Sequence, residues 1–132
     1  MQLYEKNARE LAKLLREGKC SAREITQSVF DRIRQVEPAI DAYITTTQSQ
    51  AEAQADAVDA RLAAGEALHP LAGIPIGLKD NITTKDVLTT CASKMLYNYL
   101  PPFNATVVEK LYAAGAVLSG KLNMDEFAMG SS

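Results

Sequence analysis

Gly73-Ile74-Pro75-Ile76-Gly77-Leu78-Lys79 is the stretch on which the reading of the chain turns. It is apolar at every position but the last, and it runs from a loop containing His69 and Pro70 into the polar pair Asp80-Asn81. A short apolar run with such punctuation reads as a buried strand, because a helix needs more length. Apolar side chains on both faces fit a strand covered by helices on either side, as in a parallel sheet. Pro75 has no N–H to give to a ladder, which places it at the start of the strand or on a sheet edge.

Downstream, residues 80–92 are polar and turn-rich, more like a functional loop than an element. A short helical segment is expected near Ser93 to Asn98, ahead of Pro101-Pro102. Asn104 is placed to cap a helix carrying Val107, Val108 and Leu111 and ending at Gly115. Ala116 to Ser119 reads as a second buried strand, and Asn123 with Glu126 three residues on marks a further helix start. Strand, helix and strand at this spacing form a crossover unit.

Upstream the pattern is helical. Ala8, Leu11, Leu14 and Leu15 form one stripe, stopped by Gly18. Ser21-Ala22-Arg23-Glu24 is a capping box opening a helix with Ile25, Val29, Ile33 and Val36 inward, closed before Pro38. Asp41 to Thr46 reads as a strand. Gln48 to Ala64 is an Ala-rich helix with Ala51, Ala55, Val58 and Leu62 on its apolar side, ending at Gly65.

The fold class is therefore α/β, with helices packed on a mixed or parallel sheet. One unit over 1–132 is expected, with a mainly helical lead-in over 1–65 and a β-α-β segment over 66–132. Two or three strands with several apolar helix faces have poor cover, so the chain is expected to be part of a larger fold, of which the resemblance given below makes it the N-terminal portion.

At 47% hydrophobic and 23% charged, the composition is that of a globular protein. Fourteen basic against sixteen acidic residues leave a net charge of -2, which argues against a free-standing nucleic-acid binder. The N-terminus turns charged at once and has no apolar signal core, and Leu71 to Leu78 is too short to span a bilayer. An intracellular, cytoplasmic protein is expected. Cys20 and Cys91 belong to no C-x-x-C pair and read as reduced structural thiols.

Several stretches offer chemistry. Gly115 to Lys121 nearly matches a phosphate-binding loop, but Leu122 stands where Ser or Thr should hold magnesium, and the middle residues are strand formers. His69 has no second His at ligand spacing, so no metal site is expected. Adjacent Asp125 and Glu126 read as capping residues. Lys79 closes an apolar strand beside Asp80 and Asn81, at the strand end where α/β folds build their sites. Such a Lys either reaches water or sits in a dry pocket. In the second case desolvation disfavours the ammonium, and the neutral amine can act as a base toward a hydroxyl nucleophile.

The stretch Leu71 to Ile82 resembles the lysine motif of the amidase-signature family. Thr89-Thr90-Cys91-Ala92-Ser93-Lys94, Asn104 to Leu111 and Asn123 to Ser132 are similar to its tRNA-dependent amidotransferase A subunits in particular. The resemblance runs over essentially the whole chain. It implies that Lys79 is the base of a Ser–cis-Ser–Lys triad whose two serines lie beyond Ser132, so that Ser131 and Ser132 are neither. It places Met129, Gly130 and Ser131 near the substrate pocket, and Gly77 where many relatives carry Ala.

The implied activity is glutamine hydrolysis through an acyl-enzyme. The ammonia passes to a B subunit that activates misacylated Glu-tRNA(Gln) or Asp-tRNA(Asn) with ATP and magnesium, and a C subunit clamps the two together. No cofactor or metal is expected in this chain. Two other readings stay open: an amidase-signature hydrolase of other small amides, and a non-catalytic structural fragment.

Overall fold

The computed structural model describes residues 2–130. A 3-10 turn at Leu3–Glu5 leads into α1 (Ala8–Arg16) and α2 (Ala22–Ile40), followed by β1 (Tyr43–Thr46) and α3 (Gln48–Ala63). Then come β2 (Pro75–Lys79), α4 (Thr106–Ala113) and β3 (Val117–Leu122). The sheet order is β1-β3-β2, with β1 antiparallel and β2 parallel to the central β3. A mixed sheet carrying helices is the expected class. Pro75 is both the first residue of its strand and on an edge strand, so its missing N–H leaves no gap.

Local chemistry explains the helix starts. Asn7 and Glu10, and likewise Ser21 and Glu24, satisfy each other's backbone donors reciprocally. The first turn of α2 receives a further acceptor from α3, because Asp59 takes the Ala22 and Arg23 amides at 2.7 and 3.0 Å. A carboxylate against a helix N-terminus also meets the positive end of its dipole. Contrary to expectation, α2 does not stop before Pro38 but runs through it to Ile40. Pro38 stands in the last turn, where losing one amide is tolerable, and Asp41 closes the helix in the left-handed conformation.

Two cores sit on opposite faces of the sheet. Leu11, Ala12 and Leu15 of α1, Ala22, Ile25 and Phe30 of α2, and Ala51, Ala55 and Val58 of α3 close over Ile74 and Val117. Ala8, expected inside, is exposed, and Ala12 takes the inward position. The second core is smaller: Leu78, Val87, Val108 and Leu118. The expectation that β2 is buried on both faces fails. Leu78 is buried, whereas Gly77 and Lys79 on the opposite face are exposed, because α1 to α3 cover only the beginning of that face.

Three smaller corrections follow. Ala105, not Asn104, precedes α4; Asn104 instead ties the loop down, accepting from the Lys85 amide at 2.7 Å and donating to Glu109. β3 is longer than expected and takes in Gly120, Lys121 and Leu122. The helix expected from Asn123 is a single 3-10 turn at Glu126–Ala128 among the described residues.

Gly120 makes the strand pairing possible. With φ at +155°, a side chain here would strike the Thr45 carbonyl and lie 2.8 Å from the Tyr43 ring. Gly120→Ala should destabilise the chain by about 1–3 kcal/mol through this overpacking. Urea unfolding would show it, and an unchanged midpoint would mean that β1 does not approach β3 so closely.

Candidate active site

Register decides which side chains share a face, and β2 meets β3 with Leu78 beside Lys121 and Lys79 beside Leu122. Lys79 therefore projects from the face carrying Gly77 and Leu122, at the carboxyl end of its strand. Its side chain is exposed. The dry pocket that the sequence allowed at this position does not exist within the described residues. The physical reason is the open face just described, on which no described element covers the end of β2.

The desolvated amine belongs to a different lysine. Lys121 lies on the other face and is 0% exposed, and so is Asp80. Its Nζ donates to the Ile82 carbonyl at 2.9 Å and to the Thr89 hydroxyl at 2.9 Å, and stands 3.5 Å from Asp80 Oδ1. Asp80 Oδ2 accepts the Thr90 amide at 3.0 Å and the Thr90 hydroxyl. Asp80 Oδ1 is buried and accepts no hydrogen bond from the described residues, so the ammonium opposite compensates it by charge. Burial pushes the Lys121 amine below its ordinary value, while the Asp80 charge pulls it back up.

Through this cluster the polar, turn-rich loop over 80–92 is packed rather than open. Asp80, Thr84, Val87, Thr89 and Thr90 are all buried. The Asp80 amide continues the ladder to Leu122 O at 3.0 Å, and the Asp80 carbonyl accepts the Cys91 amide at 3.0 Å. Cys91 and Ala92 then adopt positive φ, as do Phe127 and Ala128, and the Phe127 amide donates to Cys91 O at 3.0 Å. Two strained corners are thus joined close to the end of β2. Glu126 extends the junction by accepting from the buried Ser93 hydroxyl at 2.6 Å.

The remaining sequence candidates are quickly placed. Met129 is 84% exposed, next to the Phe127–Ala128 corner, with Gly130 following at φ +80°. Ser131 lies outside the described residues. The stretch resembling a phosphate loop runs from the end of α4 into strand β3, and its amides are already engaged, those of Gly115 and Ala116 by α4, that of Val117 by Ile74 O and that of Leu118 by Gln54 Oε1 at 2.8 Å. His69 anchors its own loop, its Nδ1 accepting the Leu71 amide at 3.1 Å. No helix among the described residues is long and apolar enough to cross a membrane.

An amidase family model matches residues 24–132. The A subunit of glutamyl-tRNA(Gln) amidotransferase from Desulforamulus reducens is 54% identical over all of this chain, which spans 27% of that protein. The protein of that name from Thermosynechococcus vestitus is 56% identical over 93% of this chain and 26% of its own length. Among solved structures, peptide amidase from Stenotrophomonas maltophilia superposes with a TM-score of 0.87 at 31% identity, covering 93% of this chain and 26% of that one. An inhibitor-bound chain from a vestigial complex related to the origins of an s-triazine catabolic enzyme gives 0.91 at 39% identity, with 95% and 28% covered. The chain thus spans about a quarter of the curated relatives it matches.

The buried amine makes a pH-dependent contribution to stability. Because its folded value lies below the ordinary 10.5, the unfolded chain binds more protons in the window beneath 10.5, and stability contributed by this group rises as pH climbs through it. Urea unfolding should therefore show the wild type gaining on the uncharged double variant Asp80→Asn/Lys121→Met as pH approaches 10.5. A difference that stays flat with pH would put the Lys121 amine in water.

Proposed function

The chain belongs to the amidase family, and from that premise we propose that Lys79 is the general base of a Ser–cis-Ser–Lys triad that hydrolyses glutamine. The observation that carries this reading is identity of 54% to the A subunits of glutamyl-tRNA(Gln) amidotransferases over the entire chain. The geometry is compatible with it. Lys79 is the last residue of a parallel strand, where α/β folds collect reacting groups, and its face of the sheet is open to hydroxyls supplied from elsewhere.

In this reaction the Lys79 amine takes a proton through the bridging serine hydroxyl from the nucleophilic serine. The serine attacks the glutamine carboxamide carbon, the same proton route serves the departing ammonia, and water then releases glutamate from the acyl-enzyme. Neither serine is among the residues described, and Ser131 is given neither role. Met129 and Gly130 would border the glutamine, beside the strained Phe127–Ala128 corner. The ammonia would pass to a B subunit that uses ATP and magnesium on the misacylated tRNA, with a C subunit holding the complex together in the cytoplasm. Nucleotide and metal would be held by that partner.

A chimera tests this directly, with these 132 residues replacing the matching quarter of the Desulforamulus reducens protein. It should release ammonia from glutamine, whereas the 132-residue chain by itself should release none. Lys79→Ala in the chimera should lower kcat roughly 100- to 10,000-fold, the range of a general base, while assembly of the complex persists. Full activity of Lys79→Ala would end the proposal. Faster hydrolysis of other small amides than of glutamine would keep the triad and change the substrate.

A further inference from the structure

We propose that Asp80 and Lys121 are positioning residues for Lys79, an inference that rests on Lys79 being the base. Neither can meet substrate: both are 0% exposed and lie on the closed side of the sheet, away from the face that Lys79 shares with Gly77 and Leu122. What they hold is the peptide that carries Lys79. The Lys79 carbonyl accepts the Ile82 amide at 2.9 Å, and the Ile82 carbonyl is in turn taken by Lys121 Nζ at 2.9 Å. On the next residue, the Asp80 amide, carbonyl and carboxylate are bound by Leu122, Cys91 and Thr90 respectively. The turn from Lys79 to Ile82 is thus tied at its start through the Asp80 backbone and at its end through the Lys121 amine.

A peptide fixed on both sides fixes the direction of its Cα–Cβ bond, and the long Lys79 side chain magnifies any error there. Displacing a reacting group by about 1 Å can cost about 100-fold in rate. Simple cohesion would not call for this chemistry, because apolar residues of similar volume usually hold a core as well as a buried ion pair does. The pair occupies this position although one carboxylate oxygen accepts no hydrogen bond from the described residues, which fits a directional requirement better than a packing one.

The experiment separates position from stability. In the glutamine-hydrolysing chimera, Asp80→Asn and Lys121→Met each strand a buried partner, so both should lower Tm as well as kcat. The double variant removes both charges and should recover Tm relative to the singles. Its kcat should nevertheless stay about tenfold or more below wild type with KM nearly unchanged, because the turn is no longer aimed. A double variant with wild-type kcat would overturn the inference. Thr89→Val, which removes one acceptor of Lys121 together with the hydroxyl's bond to Val87 O and keeps both charges, is the milder second test should the double variant not fold. It should lower kcat severalfold at constant KM, and an unchanged kcat there would also overturn the inference. Failure of the parent reading looks different: Lys79→Ala would then be active, whatever the pair does.

Discussion

The buried pair of Asp80 and Lys121 is the constraint around which the second half of the chain is arranged. An ammonium and a carboxylate removed from water are each unfavourable alone, and breaking such a pair typically costs about 3–5 kcal/mol. The surrounding loop supplies hydrogen-bond partners to the amine and to one of the two carboxylate oxygens. Thr89 supplies a hydroxyl to the amine, Thr90 supplies an amide and a hydroxyl to the carboxylate, and Ile82 gives up its carbonyl. Polar residues that look solvent-facing in sequence are thereby drawn inward, and the loop becomes an extension of the smaller core with Val87 and Leu78.

β3 makes this arrangement possible because it serves two different faces. Val117 enters the helical core while Leu118 enters the smaller one. Ser119 then joins the three strands laterally, donating to Ile76 O at 2.8 Å and lying 3.1 Å from the Tyr43 hydroxyl. Gly120 lets β1 approach, and the register of both neighbours shifts in this part of the strand. The shift turns Lys121 onto the face of Leu118 and Leu78, where its amine finds the loop. A strand without that irregularity would present Lys121 to the open face beside Lys79, leaving Asp80 without a cation.

This explains how much could be read beforehand. The apolar run at 73–79, the capping box at Ser21 and the α3 stripe of Ala51, Ala55 and Val58 are local patterns, and local forces set them. Lys121 is a different case. Strict alternation from Leu118 sends it to the opposite face, since the two are an odd number of residues apart, and only the irregularity at Gly120 reverses this. A period-two reading has no means of seeing such a shift. Asp59 capping α2 from α3, and Asn104 bracing Lys85 rather than its own helix, are likewise contacts between segments distant in sequence. Lys79 was legible as a motif, but its surroundings were not, because exposure depends on which elements cover the end of β2.

The two lysines divide what the sequence offered as a single role. A desolvated amine held by fixed acceptors is a good anchor but a poor relay, since Lys121 Nζ already donates to Ile82 O and to the Thr89 hydroxyl and faces the Asp80 charge at 3.5 Å. Lys79 has the opposite character: its backbone is immobilised from the closed side and its side chain is exposed on the open one. Gly77 belongs to the same division. An added Cβ there would press to 2.9 Å against the methyl groups of Leu122, so either Leu122 shifts or the face beside Lys79 stays low. An Ala at this position would have to move Leu122, which the glycine leaves in place. Rigidity behind and accessibility in front are the two properties that the role proposed for Lys79 requires.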